Sequence, residues 1–99
     1  MITKRQALEL MSEELASMSS SGEVQYALVE KHTIERPFGW VFFYNSKEFV
    51  ETGIGRYRVY GNGPIIVNRF TGALESFRSG ETTASIIAEY EARLAKGQG

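Results

Sequence analysis

Residues 38–46 read FGWVFFYNS, a stretch with five aromatic side chains and no charge. In period-two alternation Phe38, Trp40, Phe42 and Tyr44 share one face, while Val41 and Phe43 lie on the other. Apolar side chains on both faces require cover on both, so residues 38–44 read as a central strand rather than an exposed one. In a chain of 99 residues that requirement leaves little freedom, because the remaining segments must supply the neighbouring strands and the cover.

The first segment supplies a helix. Thr3 and Gln6 have the spacing of a capping box, with Ile2 in the staple position. Leu8, Met11, Leu15 and Met18 then recur at helical steps, opposite Glu9, Glu13 and Glu14, and the pattern ends near Ser19 in a Ser-Ser-Ser-Gly break. Glu23 to Glu30 alternates Val24, Tyr26 and Leu28 against polar neighbours, as a half-buried strand does. KHTIERP turns the chain, and Pro37 places the start of the aromatic strand after itself. Ser46 is an N-cap candidate for a short helical turn over Lys47 to Glu51. Gly61-Asn-Gly-Pro64 reads as a tight turn into the apolar strand Ile65–Val67. Asn68 to Gly72 has hairpin form, with Ala73 to Phe77 returning antiparallel. A last helix starts near Ser79 to Thr83, carries Ile86, Ile87, Tyr90 and Leu94 on one face, and closes at Gly97. The order is that of an α+β fold: N-terminal helix, three- to five-stranded antiparallel sheet, C-terminal helix, with the helices in a single layer on the sheet and residues 1–99 as one domain.

Composition narrows the chemistry. The net charge is −1 and the eleven basic residues are scattered, so phosphate-backbone binding lacks its driving term and no nucleic-acid partner is expected. There is no cysteine, no aspartate and one histidine, His32. Thiolate sites, disulfides and the usual metal sets therefore cannot be assembled. The longest apolar run, Trp40 to Tyr44, is far too short for a membrane span, and the amphipathic N-terminus is unlike a signal peptide. A cytoplasmic protein is the expectation.

No segment reads as catalytic. GETTASI lacks the spacing and lysine of a phosphate loop and reads as a helix cap. His32, beside Glu30 and Glu35, has no nucleophile or oxyanion motif near it and reads as a solvated loop histidine. Glu89 lies four residues before Arg93, where a surface ion pair forms. We expect no catalytic, cofactor-binding or metal-binding residues. The segment from Glu51 to Tyr60 is different, because it concentrates Arg56, Tyr57, Arg58 and Tyr60 between glycines. Arg and Tyr are enriched at interface hot spots, and alternating cations also guard an edge strand from aggregation. Both readings fit RYRVY.

The aromatic strand ending in Tyr-Asn-Ser, followed by Gly-Asn-Gly-Pro and a Thr-Gly hairpin, resembles the YrhB-domain proteins, the immunity protein 35 family of bacterial polymorphic toxin systems. Met1–Ala7, Gly39–Ser46, Gly61–Val67, Thr71-Gly72 and the helix around Glu89-Tyr90-Glu91 match that pattern in order. FRSGETTAS is more polar and RYRVY more basic than the pattern, which marks them as places where partner specificity would differ. The resemblance implies a small cytoplasmic antitoxin that binds a cognate toxin domain and blocks it by covering its active site, and it makes Arg56, Tyr57, Arg58, Tyr60 and Glu51 the candidate contact residues. Its alternative is a chaperone-like or stress-related binding protein.

Overall fold

The computed structural model describes residues 1–20, 22–78 and 80–97. Ser21, in the expected break after the first helix, and Ser79, in the expected start of the last, lie outside the described residues. The elements are α1 (Lys4–Ser20), β1 (Tyr26–Leu28), β2 (Ile34–Arg36), β3 (Gly39–Phe42), β4 (Tyr44–Ser46), α2 (Lys47–Thr52), β5 (Asn62–Asn68), β6 (Leu74–Arg78) and α3 (Thr83–Ala95), with short 3₁₀ turns at Glu30–His32 and Gly55–Tyr57. Strands β2-β3-β5-β6 form an antiparallel sheet in that order, and β1 pairs with β4 in a separate two-stranded ladder. The α+β class holds.

The starts of the two long helices, α1 and α3, follow from their capping residues. The Thr3 backbone N–H donates to Gln6 Oε1 at 2.9 Å and the Gln6 N–H to Thr3 Oγ1 at 3.2 Å, the two reciprocal bonds of a capping box. Thr82 caps α3 by accepting from the Ser85 N–H at 3.1 Å.

The expected single layer of helices is not what forms. In β3 and β5, Trp40, Phe42, Ile65 and Val67 pack with Ala7, Met11 and Leu15 of α1. The alternate residues Val41 and Ile66 pack with Ile86, Ile87 and Tyr90 of α3. One helix therefore covers each face of the sheet, giving three layers. Two-faced apolarity in the central strands makes this necessary: a single helix layer would leave Val41 and Ile66, both fully buried, against water. Fully burying such side chains stabilises by about 1.5–3 kcal/mol each.

The aromatic stretch departs from a single strand in two ways. It passes from the four-stranded sheet to the β1–β4 ladder at Phe43, so it serves both. Its alternation also breaks at Gly39, whose φ is +145°. Phe38, expected beside Trp40, instead lies on the α3 face and stacks on the Tyr90 ring at 4.9 Å. Residues 34–36, read as turn, form the edge strand β2, with Ile34 opposite Val41. Asn62 to Pro64, read as a turn, belong to β5, where the register with β6 shifts between Asn62 and Ile65. Pro64 sits in that irregularity, where a missing N–H costs no ladder bond. Gly63 is needed there for space, since a Cβ would stand 2.2 Å from the Phe77 carbonyl oxygen.

The β2–β3 edge is tied to the β5–β6 hairpin by Arg69. Its guanidinium lies 4.5 Å from the Trp40 ring and its Nη2 reaches Glu35 Oε2 and the Arg36 carbonyl, each at 3.0 Å. The hydrogen bond from Arg69 holds the Glu35 carboxyl below its ordinary pKa, against a smaller opposing cost of desolvation; the Trp40 indole and the Lys4 charge add lesser pulls in the same direction. The indole nitrogen makes no hydrogen bond of normal geometry. A carboxyl whose pKa is lowered on folding stabilises above its unfolded value and loses that contribution as pH falls through the folded value. Glu35→Gln should therefore lower the urea midpoint at pH 7, and lower it less at pH 3. An equal deficit at both pH values would show that the effect is not the ion pair.

Candidate partner interface

The segment between β4 and β5 leaves the sheet as α2, a 3₁₀ turn and an irregular stretch to Tyr60. It is built by the last two residues of the aromatic stretch. The Val59 N–H donates to Asn45 Oδ1 at 2.8 Å, and Asn45 Nδ2 donates to the Val59 carbonyl at 3.2 Å. Both backbone groups of Val59 are thus satisfied by one side chain. Ser46 does two things at once: its Oγ caps α2 by accepting from the Phe49 N–H at 3.1 Å and donates to the Tyr57 carbonyl. Asn62 closes the base by donating from Nδ2 to the Tyr44 carbonyl at 2.8 Å. Asn45 and Ser46 are buried, so the excursion hangs from groups that water cannot easily displace.

RYRVY is therefore not an edge strand. Arg56 and Tyr57 belong to the 3₁₀ turn and Arg58 to Tyr60 follow without regular structure. The cation–apolar alternation that allowed a strand here arises from a looped segment in which Tyr57 and Val59 are half-buried while Arg56, Arg58 and Tyr60 are exposed.

The segment carries large exposed side chains. Tyr60 is 76% exposed, Ile54 46% and Val50 36%. The Arg58 guanidinium lies between two rings, 5.2 Å from Tyr60 and 5.8 Å from Phe49. Arg56 lies 4.9 Å from the Tyr57 ring and donates from Nη2 to the Tyr57 hydroxyl at 2.8 Å. The structure thus pairs Arg56 with Tyr57, and Arg58 with Tyr60 and Phe49, along one segment. Glu51 is exposed on α2, and no cation lies within 4.0 Å of its carboxylate among the described residues. Sequence reasoning missed Phe49, Val50 and Ile54. Their signal was a pair of apolar side chains at Phe49–Val50 in a helical turn too short to bury both.

This surface borders an open groove of about 1590 Å³ that runs past β1 to the C-terminal half of α1, with Tyr26, Tyr44 and His32 among its lining residues. His32 is exposed and stands edge-on to Phe43 at 6.4 Å. Among the described residues no group of three His, Cys, Asp or Glu side chains is placed to hold a metal ion, and no helix is long and apolar enough to cross a membrane. The arrangement offers aromatic area, two guanidinium groups and a rim of polar backbone. These are means of binding a protein surface.

The chain is 32% identical over 57 residues to an uncharacterized protein, YrhB, of Escherichia coli (strain K12), a match covering 58% of this chain and 61% of that protein. No solved structure matches it. The family described as immunity protein 35 matches residues 5–93, from the first turn of α1 to the last turn of α3 and including the whole excursion. The chain belongs to the immunity protein 35 family.

Proposed function

We propose that this protein is an antitoxin: it binds a cognate toxin domain in the cytoplasm of the producing cell and blocks it by covering the active site, without catalysis of its own. The observation that carries the reading is the family match over residues 5–93. The surface of α2 and the segment to Tyr60, with Arg56, Tyr57, Arg58 and Tyr60 as anchors and Glu51 on the rim, is the contact we assign. It is supported by the exposure of Glu51, Arg56, Arg58 and Tyr60 together with the hydrogen bonds from buried Asn45 that fix the backbone at Val59. Pre-organised contacts lose less entropy on binding, and aromatic and arginine anchors carry most of the energy in interfaces of this kind.

Coexpression with the toxin domain encoded beside this gene tests the proposal. The expected result is rescue of growth and co-purification of the two chains. A toxin that remains lethal and unbound in the presence of the folded protein would sink it.

A further inference from the structure

Among the described residues, four arginines stack on aromatic rings. Two of them complete the arrangement with a carboxylate. Arg69, over Trp40, holds Glu35 at 3.0 Å. Arg93, over Tyr90 at 5.2 Å, holds Glu75 of β6 rather than Glu89, its expected helical partner. The other two are Arg56 and Arg58. Each has its ring, and among the described residues neither has a carboxylate within 4.0 Å.

The difference is one of placement. Arg69 and Arg93 bridge elements of the scaffold, whereas Arg56 and Arg58 stand on the excursion with their guanidinium groups exposed. A ring beneath a guanidinium restricts the side chain while its planar N–H edge can still meet a bidentate acceptor; Arg56 gives one Nη2 N–H to the Tyr57 hydroxyl and keeps its other donors. The excursion also differs in charge from the rest of the molecule. Residues 47–61 carry Lys47, Arg56 and Arg58 against Glu48 and Glu51, in a chain whose net charge is −1. The segment thus carries a net charge of +1 against −2 for the rest of the chain, and its two arginines are flanked by the exposed apolar side chains Val50, Ile54 and Tyr60.

We infer that the partner surface is acidic, and that it supplies a carboxylate to each of Arg56 and Arg58, completing outside the chain the arrangement that Glu35 and Glu75 complete within it. The occupant is a protein segment that presents two Asp or Glu side chains beside an apolar side chain seated against Val50, Ile54 and Tyr60. This rests on the antitoxin reading for the identity of the partner but not for its chemistry.

Two experiments separate the chemistry from the identity. In the first, binding of the purified toxin domain encoded beside this gene is measured by calorimetry for wild type, R56A/R58A and R56K/R58K. The alanine pair should weaken binding by about 30-fold or more, as truncation at a buried charge pair does. The lysine pair should restore only a small part, because a point charge does not reproduce the planar fork. Wild-type affinity should fall with added NaCl more steeply than that of the alanine pair. These side chains are exposed, so circular dichroism and melting of the variants should match wild type. Toxin binding within twofold of wild type for R56A/R58A would overturn the inference while leaving the antitoxin reading in place. In the second experiment, a phage-displayed random peptide library is selected on immobilised wild type and counter-selected on R56A/R58A. Recovered peptides should be enriched in Asp and Glu, and peptides without that enrichment would also overturn the inference. Acidic peptides selected by a protein that ignores the neighbouring toxin would instead support the chemistry and overturn the antitoxin reading.

Discussion

Gly39→Ala should abolish the cooperative urea transition of this protein, or shift it by more than about 4 kcal/mol, the range reserved for breakage of a defined structural feature. Two effects add at this position. The backbone φ of +145° is one that a side chain bearing a Cβ rarely adopts, at a cost of roughly 1–3 kcal/mol. The Cβ would also stand 2.0 Å from the Val67 carbonyl oxygen and 2.9 Å from the Arg69 backbone nitrogen. Neither neighbour can yield cheaply. Val67 is in β5, one of the two central strands, with Gly39 opposite Asn68 and Trp40 opposite Val67. The Arg69 N–H donates to the Phe38 carbonyl at 2.7 Å. Relief of the overlap requires β3 and β5 to separate, and with them the contacts that both helices make on the sheet. Against a total stability of about 5–15 kcal/mol for a domain of this size, that loss is most or all of the fold. Gly55→Ala is the control: a Cβ there meets nothing within 4 Å and φ is not positive, so its transition should stay within about 1 kcal/mol of wild type. A Gly39→Ala protein that unfolds at the wild-type urea midpoint would mean the β3–β5 contact is looser than these distances imply.

Gly39 also marks the boundary between what the sequence makes legible and what it hides. Periodicity reads correctly wherever one element has one environment. The α1 stripe, the α3 face and the apolar strand Ile65–Val67 each pack as their spacing implies. So do the local devices: the Thr3–Gln6 box and the Ser46 cap depend on residues three positions apart. Periodicity fails where the backbone changes phase. One glycine with positive φ moves Phe38 to the opposite face from Trp40, and no count of alternation can anticipate that. The β2 strand is hidden for another reason. Only Ile34 of its three residues is even half-buried, so an edge strand of this kind leaves no hydrophobic pattern and reads as the turn around it.

The candidate interface was legible in its residue types and illegible in its shape. Arg56, Tyr57, Arg58 and Tyr60 stand out by composition alone. Their backbone conformation is set by Asn45, fourteen positions before Val59 in sequence, and such a bond has no periodic or local signature. The Tyr-Asn-Ser end of the aromatic strand therefore has a physical role beyond ending the strand: Asn45 and Ser46 hold the excursion in place, and Tyr44 receives Asn62.

Asn45→Ala should accordingly weaken partner binding as much as R56A/R58A does, although Asn45 is buried and touches no partner. The substitution leaves the Val59 N–H and carbonyl without their acceptor and donor, and removes the bond at 2.8 Å from the Ser46 N–H to Asn45 Oδ1. Each buried group so stranded costs about 1–3 kcal/mol unless the segment opens to water. Opening is the cheaper course here, because residues 53–60 contribute little to either core cluster. The scaffold should then survive with a modest loss of stability while the excursion samples many conformations. Binding must restore the order that Asn45 no longer supplies, and that cost appears as lost affinity. Hydrogen exchange distinguishes this from loss of a contact. In Asn45→Ala the Val59 amide should exchange about 100-fold faster, consistent with removal of roughly 2.7 kcal/mol of local protection, while amides of β3 and β5 keep their wild-type rates. In R56A/R58A the Val59 amide should remain as protected as in wild type. Unchanged Val59 exchange in Asn45→Ala would show that the segment holds its shape without the asparagine. Full toxin affinity in a variant whose Val59 amide is deprotected would show that the interface does not depend on that shape.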